Sequence, residues 1–83
     1  MARKRETASR LEGFFATSEE RVDEARKEFE TARTTLVNAR TYGTEVHAQA
    51  AGQAFEDAAE SYARAMQAHA RIVVDYAKER VRG

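Results

Sequence analysis

The chain has 83 residues, with 14 Lys and Arg balanced by 14 Asp and Glu, and neither Cys nor Pro. That length allows one small domain with little core, and the lack of Cys excludes disulfides, zinc–thiolate sites and catalytic thiols. Zero formal net charge gives the molecule as a whole no general attraction for polyanions.

Abundant Ala, Glu and Arg predict helix almost throughout, because these side chains lose little rotamer freedom there. The fold class expected is all-α. The first segment, "MARKRETASR", is basic, has no apolar stretch of signal-peptide length behind it, and reads as a flexible tail over residues 1–8. No segment approaches the roughly 20 apolar residues of a membrane span, so the expectation is a cytoplasmic protein with no membrane partner.

Helix 1 is expected over residues 9–40. Ser9 to Glu12, "SRLE", form a capping box, and Thr17 to Glu20, "TSEE", form a second one beyond Gly13. A short "LEGFF" element before a second start at Thr17 or Ser18 is therefore the alternative to one continuous helix. The apolar spacing favours continuity. Leu11, Phe15, Ser18, Val22, Ala25, Phe29, Ala32, Leu36 and Ala39 fall at alternating steps of four and three, a heptad seam that alternates large and mostly small residues.

The seam is interrupted at "ARTYGTEVH", residues 39 to 47. Gly43 can end a helix in the left-handed conformation, Arg40 suits the preceding turn, and Thr44 with Glu45 reads as an N-cap and an acidic first turn. A tight αα-hairpin turn over residues 41–44 is expected. The alternative is a continuous rod that dimerises along its length. "TYG" at Thr41 to Gly43 resembles the Trp-x-Gly bend of the small ESX-secreted WXG proteins, which are helical hairpins of similar length. Thr41 stands where that family has Trp, and Arg80, four residues after Tyr76, stands where it has an acidic residue. The likeness implies the hairpin architecture; no secretion function or partner carries over.

Helix 2 is expected over residues 45–81, where the seam restarts as Ala48, Ala51, Phe55, Ala58, Tyr62, Ala65, His69, Ile72 and Tyr76. A hairpin then sets Leu36 opposite Ala48 or Ala51, Phe29 near Phe55, Val22 near Tyr62, Phe15 near His69 and Leu11 near Ile72. Each arm measures about 50 Å at 1.5 Å per residue. Two Ala-rich helices bury little apolar area and need further cover. Beside the second seam runs an extra line, Gly52, Ala59, Met66 and Val73, widened on the other side by Ala54 and Ala68, whereas the matching flank of helix 1 carries Glu12, Glu19, Arg26, Arg33 and Arg40. This asymmetry points helix 2 at a neighbour, either a second copy completing a two-fold four-helix bundle or a helix of another protein; the competing reading is Ala placed by helix propensity on a solvated face, against which Met66, Val73 and Val74 stand.

Folding at Gly43 also gathers Arg3, Lys4, Arg5, Arg10, Arg71, Lys78, Arg80 and Arg82 at one end, against an acidic waist of Glu19, Glu20, Asp23, Glu24, Glu28, Glu30, Glu56, Asp57 and Glu60. Arg3, Lys4, Arg5, Arg80 and Arg82 are the candidates for a nucleic-acid contact. The competing reading is a solvated end, with cations complementing the C-terminal dipole of helix 2. Little chemistry is legible. His47 and His69 lack a second ligand at metal-binding spacing, and His69 lies in the seam as a packed, hydrogen-bonded histidine. Glu56 and Asp57 are adjacent on a helix and diverge. No phosphate loop, nucleophile elbow or Ser/His/Asp arrangement is found.

The expectation is therefore a non-enzyme without cofactor, metal or small-molecule substrate: a protein–protein interaction module using Gly52, Ala59, Met66 and Val73. A nucleic-acid accessory protein is the alternative. Size and scant chemistry also suit the small phage or mobile-element proteins that work by occupying a host protein surface.

Overall fold

The computed structural model describes the backbone of residues 2–82 and the side chains of residues 10–82. Two helices, α1 (Ala2–Tyr42) and α2 (Glu45–Arg82), make up this length. They lie side by side in a rod of 63 × 14 × 13 Å. The continuous-rod alternative is thereby ruled out for the chain, which doubles back on itself.

Helix α1 begins at Ala2, where the sequence suggested a flexible tail over residues 1–8 and a start near Ser9. Ala, Arg, Lys and Glu carry the helix backward with no breaker in the way, and the rod exceeds the expected 50 Å accordingly. The helix also passes unbroken through Gly13. A Cβ built at Gly13 would have no neighbour within 4 Å, so this glycine is a plain helical position and "LEGFF" is no separate element.

The bend is tighter than expected, since only Gly43 and Thr44 lie between the helices. It also works differently. No described glycine has a positive φ, so Gly43 is not the left-handed cap read from the sequence. Its N–H donates to the Ala39 carbonyl at 2.9 Å, and a Cβ on Gly43 would sit 2.7 Å from that same oxygen. Glycine is needed here because a side chain would strike the carbonyl. Thr44 does act as the N-cap: its Oγ1 accepts from the His47 N–H at 3.3 Å, and its carbonyl accepts from the Ala48 N–H at 2.9 Å. Glu45 follows in the first turn, where a carboxylate complements the exposed amide dipoles.

Between the helices the heptad seam closes as a zipper. Every seam residue from Leu11 to Ala39 and from Ala48 to Tyr76 is buried or half-buried. Phe29 stacks against Phe55 and Tyr62, with ring centroids 5.0 and 5.6 Å away. Phe15 sits likewise between His69 and Tyr76, at 5.0 and 5.4 Å. Each seam aromatic of α1 is thus a knob set between two α2 residues one heptad apart. The pairings of Phe29 with Phe55 and Phe15 with His69 are as read from the sequence, but each ring touches a second partner that the simple pairing omitted. Tilted and edge-on ring contacts of this kind contribute about 0.5–1.5 kcal/mol each beyond their buried area.

One polar pair interrupts the apolar seam. The Ser18 hydroxyl is buried, lies 3.0 Å from the Phe15 carbonyl and 2.7 Å from His69 Nδ1. Because Ser18 faces His69, stepping one way along α1 and the opposite way along α2 places Phe29 level with Ala58, Leu36 with Ala51, and Tyr62 with Ala25. In these middle layers large residues meet small ones, which lets two backbones approach closely, whereas toward the chain ends Phe15 lies level with Ile72. By the same register Leu11 lies level with Tyr76, one helical turn beyond the Ile72 expected for it.

Among the described residues only Ser18, Ala25 and Ala51 are buried, so no large side chain is shielded from water on all sides. The Cα radius of gyration, 18.4 Å, compares with about 12 Å for a compact domain of this length. A rod two helices thick has no interior.

Candidate functional site

The outer faces of the two helices differ. On α1 the flank residues Glu12, Glu19, Arg26, Arg33 and Arg40 are all exposed, as the sequence suggested. Arg26 reaches Asp23 at 3.2 Å. Toward the bend, Thr34, Thr35 and Thr41 donate back to the carbonyls of Glu30, Thr31 and Val37. Those hydroxyls satisfy themselves on their own helix. The α1 flank is charged and its threonines are served by local bonds; Phe14, Val37 and Tyr42 of the same helix are exposed, but they stand singly along it and form no continuous stripe.

On α2 the sequence-derived line of Gly52, Ala59, Met66 and Val73 divides in two. Gly52 and Ala59 are half-buried, because α1 leans across them: a Cβ at Gly52 would lie 4.0 Å from Leu36 Cδ1. Toward the chain ends no described side chain leans across in the same way. Met66 is 43% exposed, Val73 38%, Val74 50% and Val81 88%. The upper part of the line thus belongs to the hairpin, and the lower part is open. Ala54 and Ala68, read as widening the face on the other side, are simply exposed.

The open part is broader than the four residues picked out by sequence. Val73, Val74, Ala77 and Val81 line a shallow groove rimmed by Lys78 and Arg82, and Ala70 and Ala63 are exposed one and two heptads before Ala77. Ala63, Ala70 and Ala77 recur every seventh residue, which was legible. Their significance was not, since Ala on a helix surface is also what helix propensity alone selects. Only the direction of the first seam shows that these three share a face with Met66 and Val73, about a third of a turn from α1.

The basic end is partly engaged. The Arg80 Nη1 donates to Tyr76 Oη at 3.2 Å, and the guanidinium carbon lies 5.7 Å from the Tyr76 ring centre, a cation–π placement. Arg71, Lys78 and Arg82 are exposed beside it. The side chains of Arg3, Lys4 and Arg5, the other half of the nucleic-acid candidate, lie outside the described residues. The acidic waist is exposed on both helices; on α2, Gln53 Nε2 donates to Asp57 at 3.1 Å and Glu60 makes a long ion pair with Arg64 at 4.0 Å.

The Ser18–His69 hydrogen bond has the separation of a nucleophile and its base, but its setting is different. The hydroxyl is closed in the seam between the helices, with the Phe15 ring against the imidazole. An attacking oxygen would have no room for a carbonyl beside it. The pair satisfies two polar groups inside an apolar layer and fixes the register. His47 is exposed near the bend, far along the rod from His69, and no cluster of three or more His, Cys, Asp or Glu side chains suited to a metal occurs among the described residues. No helix of the described chain is long and apolar enough to cross a membrane.

Searches against protein-family models, curated proteins and solved structures find no match to this chain.

Proposed function

We propose that the protein is a non-catalytic interaction module whose working surface is the open apolar face of α2, centred on Met66 and Val73 and extended by Val74, Ala77 and Val81. The observation that carries this reading is the contrast between that face and the charged flank of α1: two helices of similar length share one seam, and among the described residues only α2 carries a second apolar stripe. Exposed apolar stripes of this kind are costly in water and mark docking surfaces. Gly52 and Ala59 support the stripe from within the hairpin.

Replacing Met66 or Val73 by Glu should abolish docking and leave the helices paired. The test is the hydrodynamic size of the protein in extracts of its native cells. The wild type should run well above its 9.3 kDa, while both variants should run as the free hairpin with unchanged helicity. A wild type that runs as the free hairpin, indistinguishable from the variants, would refute the reading. The alternative, a nucleic-acid contact through Arg3, Lys4, Arg5, Arg80 and Arg82, draws on charge at one end alone. Arg80 lying over Tyr76 lends it no further support.

A further inference from the structure

Resting on the docking reading above, we infer that the occupant of the open α2 face is a second copy of this chain, packed antiparallel on α2 across a two-fold axis level with Ala68. Three observations converge on this arrangement: a self-complementary stripe, an opposed distribution of charge along α2, and an excess of exposed surface.

The stripe has its own heptad spacing. Ala59, Ala63, Met66, Ala70, Val73 and Ala77 follow one another at alternating steps of four and three, the same spacing that closes the α1–α2 seam. In an antiparallel pair centred at Ala68, Met66 meets Ala70 of the second copy, and Val73 meets Ala63. Each large residue again faces a small one, as in the middle layers of the first seam. Ala59 then meets Ala77, and the next layer outward sets Glu56 against Arg80.

Charge selects this direction. Between residues 45 and 60, α2 carries Glu45, Glu56, Asp57 and Glu60 and no Lys or Arg; between 61 and 82 it carries Arg64, Arg71, Lys78, Arg80 and Arg82 against Asp75 and Glu79. Antiparallel pairing lays the acidic stretch of one copy beside the basic stretch of the other at both ends of the interface. Parallel pairing would stack Glu56 on Glu56 and Arg80 on Arg80, and like charges in juxtaposition are strongly selected against. Arg80, held over Tyr76 at the edge of the first seam, is already positioned one layer beyond Ala77.

The surface is also in excess. The chain exposes 6900 Å², against about 5,000 Å² for a compact monomer of this mass. The surplus is more than twice the roughly 800 Å² that each partner gives to a standard interface. A second hairpin seated on α2 completes a four-helix bundle and gives the rod an interior.

The test exploits the natural absence of cysteine. Ala63→Cys and Val73→Cys variants of the full chain are mixed under mild oxidation, alongside each variant alone. The mixture should give a disulfide-linked 63–73 dimer, and the single variants should give little. In parallel, Glu56→Arg and Arg80→Glu should each weaken dimerisation about tenfold, measured by sedimentation equilibrium, and the double variant should recover it. Circular dichroism on every variant checks that the hairpin remains folded. Cross-links at 63–63 and 73–73 in place of 63–73, or charge-swapped chains that fail to recover, would overturn the antiparallel register. A folded wild type that stays monomeric throughout the micromolar range would overturn the second copy as occupant. That result leaves the docking face itself to be judged by the size of the protein in native extracts, so the two readings fail separately.

Discussion

The inner and outer faces of α2 use the same residue types toward different ends. On the inner face, Ala51, Ala58 and Ala65 alternate with Phe55, Tyr62 and His69, and all are at least half-buried. On the outer face, Ala63, Ala70 and Ala77 alternate with Met66 and Val73, and all are exposed. The comparison teaches that small–large alternation is a geometry for close approach, and that burial follows only where a second helix is present to accept it. The inner face carries aromatics and supplies the energy that makes the hairpin; the outer face carries thinner side chains and is left open.

Breaking the inner face should have the largest effect. Phe29→Ala removes the ring seated between Phe55 and Tyr62 and should cost about 3 kcal/mol, seen as loss of cooperative thermal unfolding by circular dichroism. A hairpin without fully buried large side chains has little reserve against such a loss, so the outer face should fall with it. Retention of a wild-type melting curve would show that the aromatic seam does not hold the arms together.

The bend comes next. Gly43→Ala would drive a methyl group to 2.7 Å from the Ala39 carbonyl oxygen, and the last turn of α1 must open to admit it. A destabilisation of about 1–2 kcal/mol is expected, in excess of any gain from restricting the unfolded chain. Denaturant titration measures it. An unchanged or raised midpoint would mean that the carbonyl yields freely.

A smaller effect should come from the polar layer. Ser18→Ala leaves His69 Nδ1 without its partner inside the seam, and should cost about 1–2 kcal/mol. Pairing it with His69→Leu should restore most of that stability, because an apolar layer has no unmet hydrogen bond. A double variant as unstable as the two single losses combined would show that the layer does more than satisfy itself.

The smallest change sharpens the contrast from the outside. On α1, Asp23→Asn removes the exposed ion pair with Arg26 and should shift stability by only a few tenths of a kcal/mol. It should leave self-association untouched, since α1's flank faces water in the proposed assembly. If instead it dissociates the dimer, measured by sedimentation, the wrong helix has been assigned to the interface.

Much of the hairpin was legible in advance. The alternating steps of four and three named all the seam residues that the structure buries or half-buries from Leu11 to Tyr76, because a heptad repeat records which side of a helix must avoid water. Thr44 could be named as a cap because its hydroxyl suits the free amides of a helix start. The site was legible in part. Met66 and Val73, with Val74, were legible beside the seam, whereas Val81 and the Ala63–Ala70–Ala77 line were not, since alanine on a helix serves propensity and packing alike.

What the amino-acid sequence determined by itself was local and periodic: helix throughout, one interruption, and the faces that seek cover. The tertiary structure decided the rest. It chose Gly43's role through a carbonyl contact that no propensity encodes, joined Ser18 to His69 across 51 positions of chain, and split one apolar stripe into a part under Leu36 and a part left open. Those outcomes depend on the register between two helices. Register is set by how knobs of particular volume settle into particular gaps, a property of the pair that neither helix carries alone.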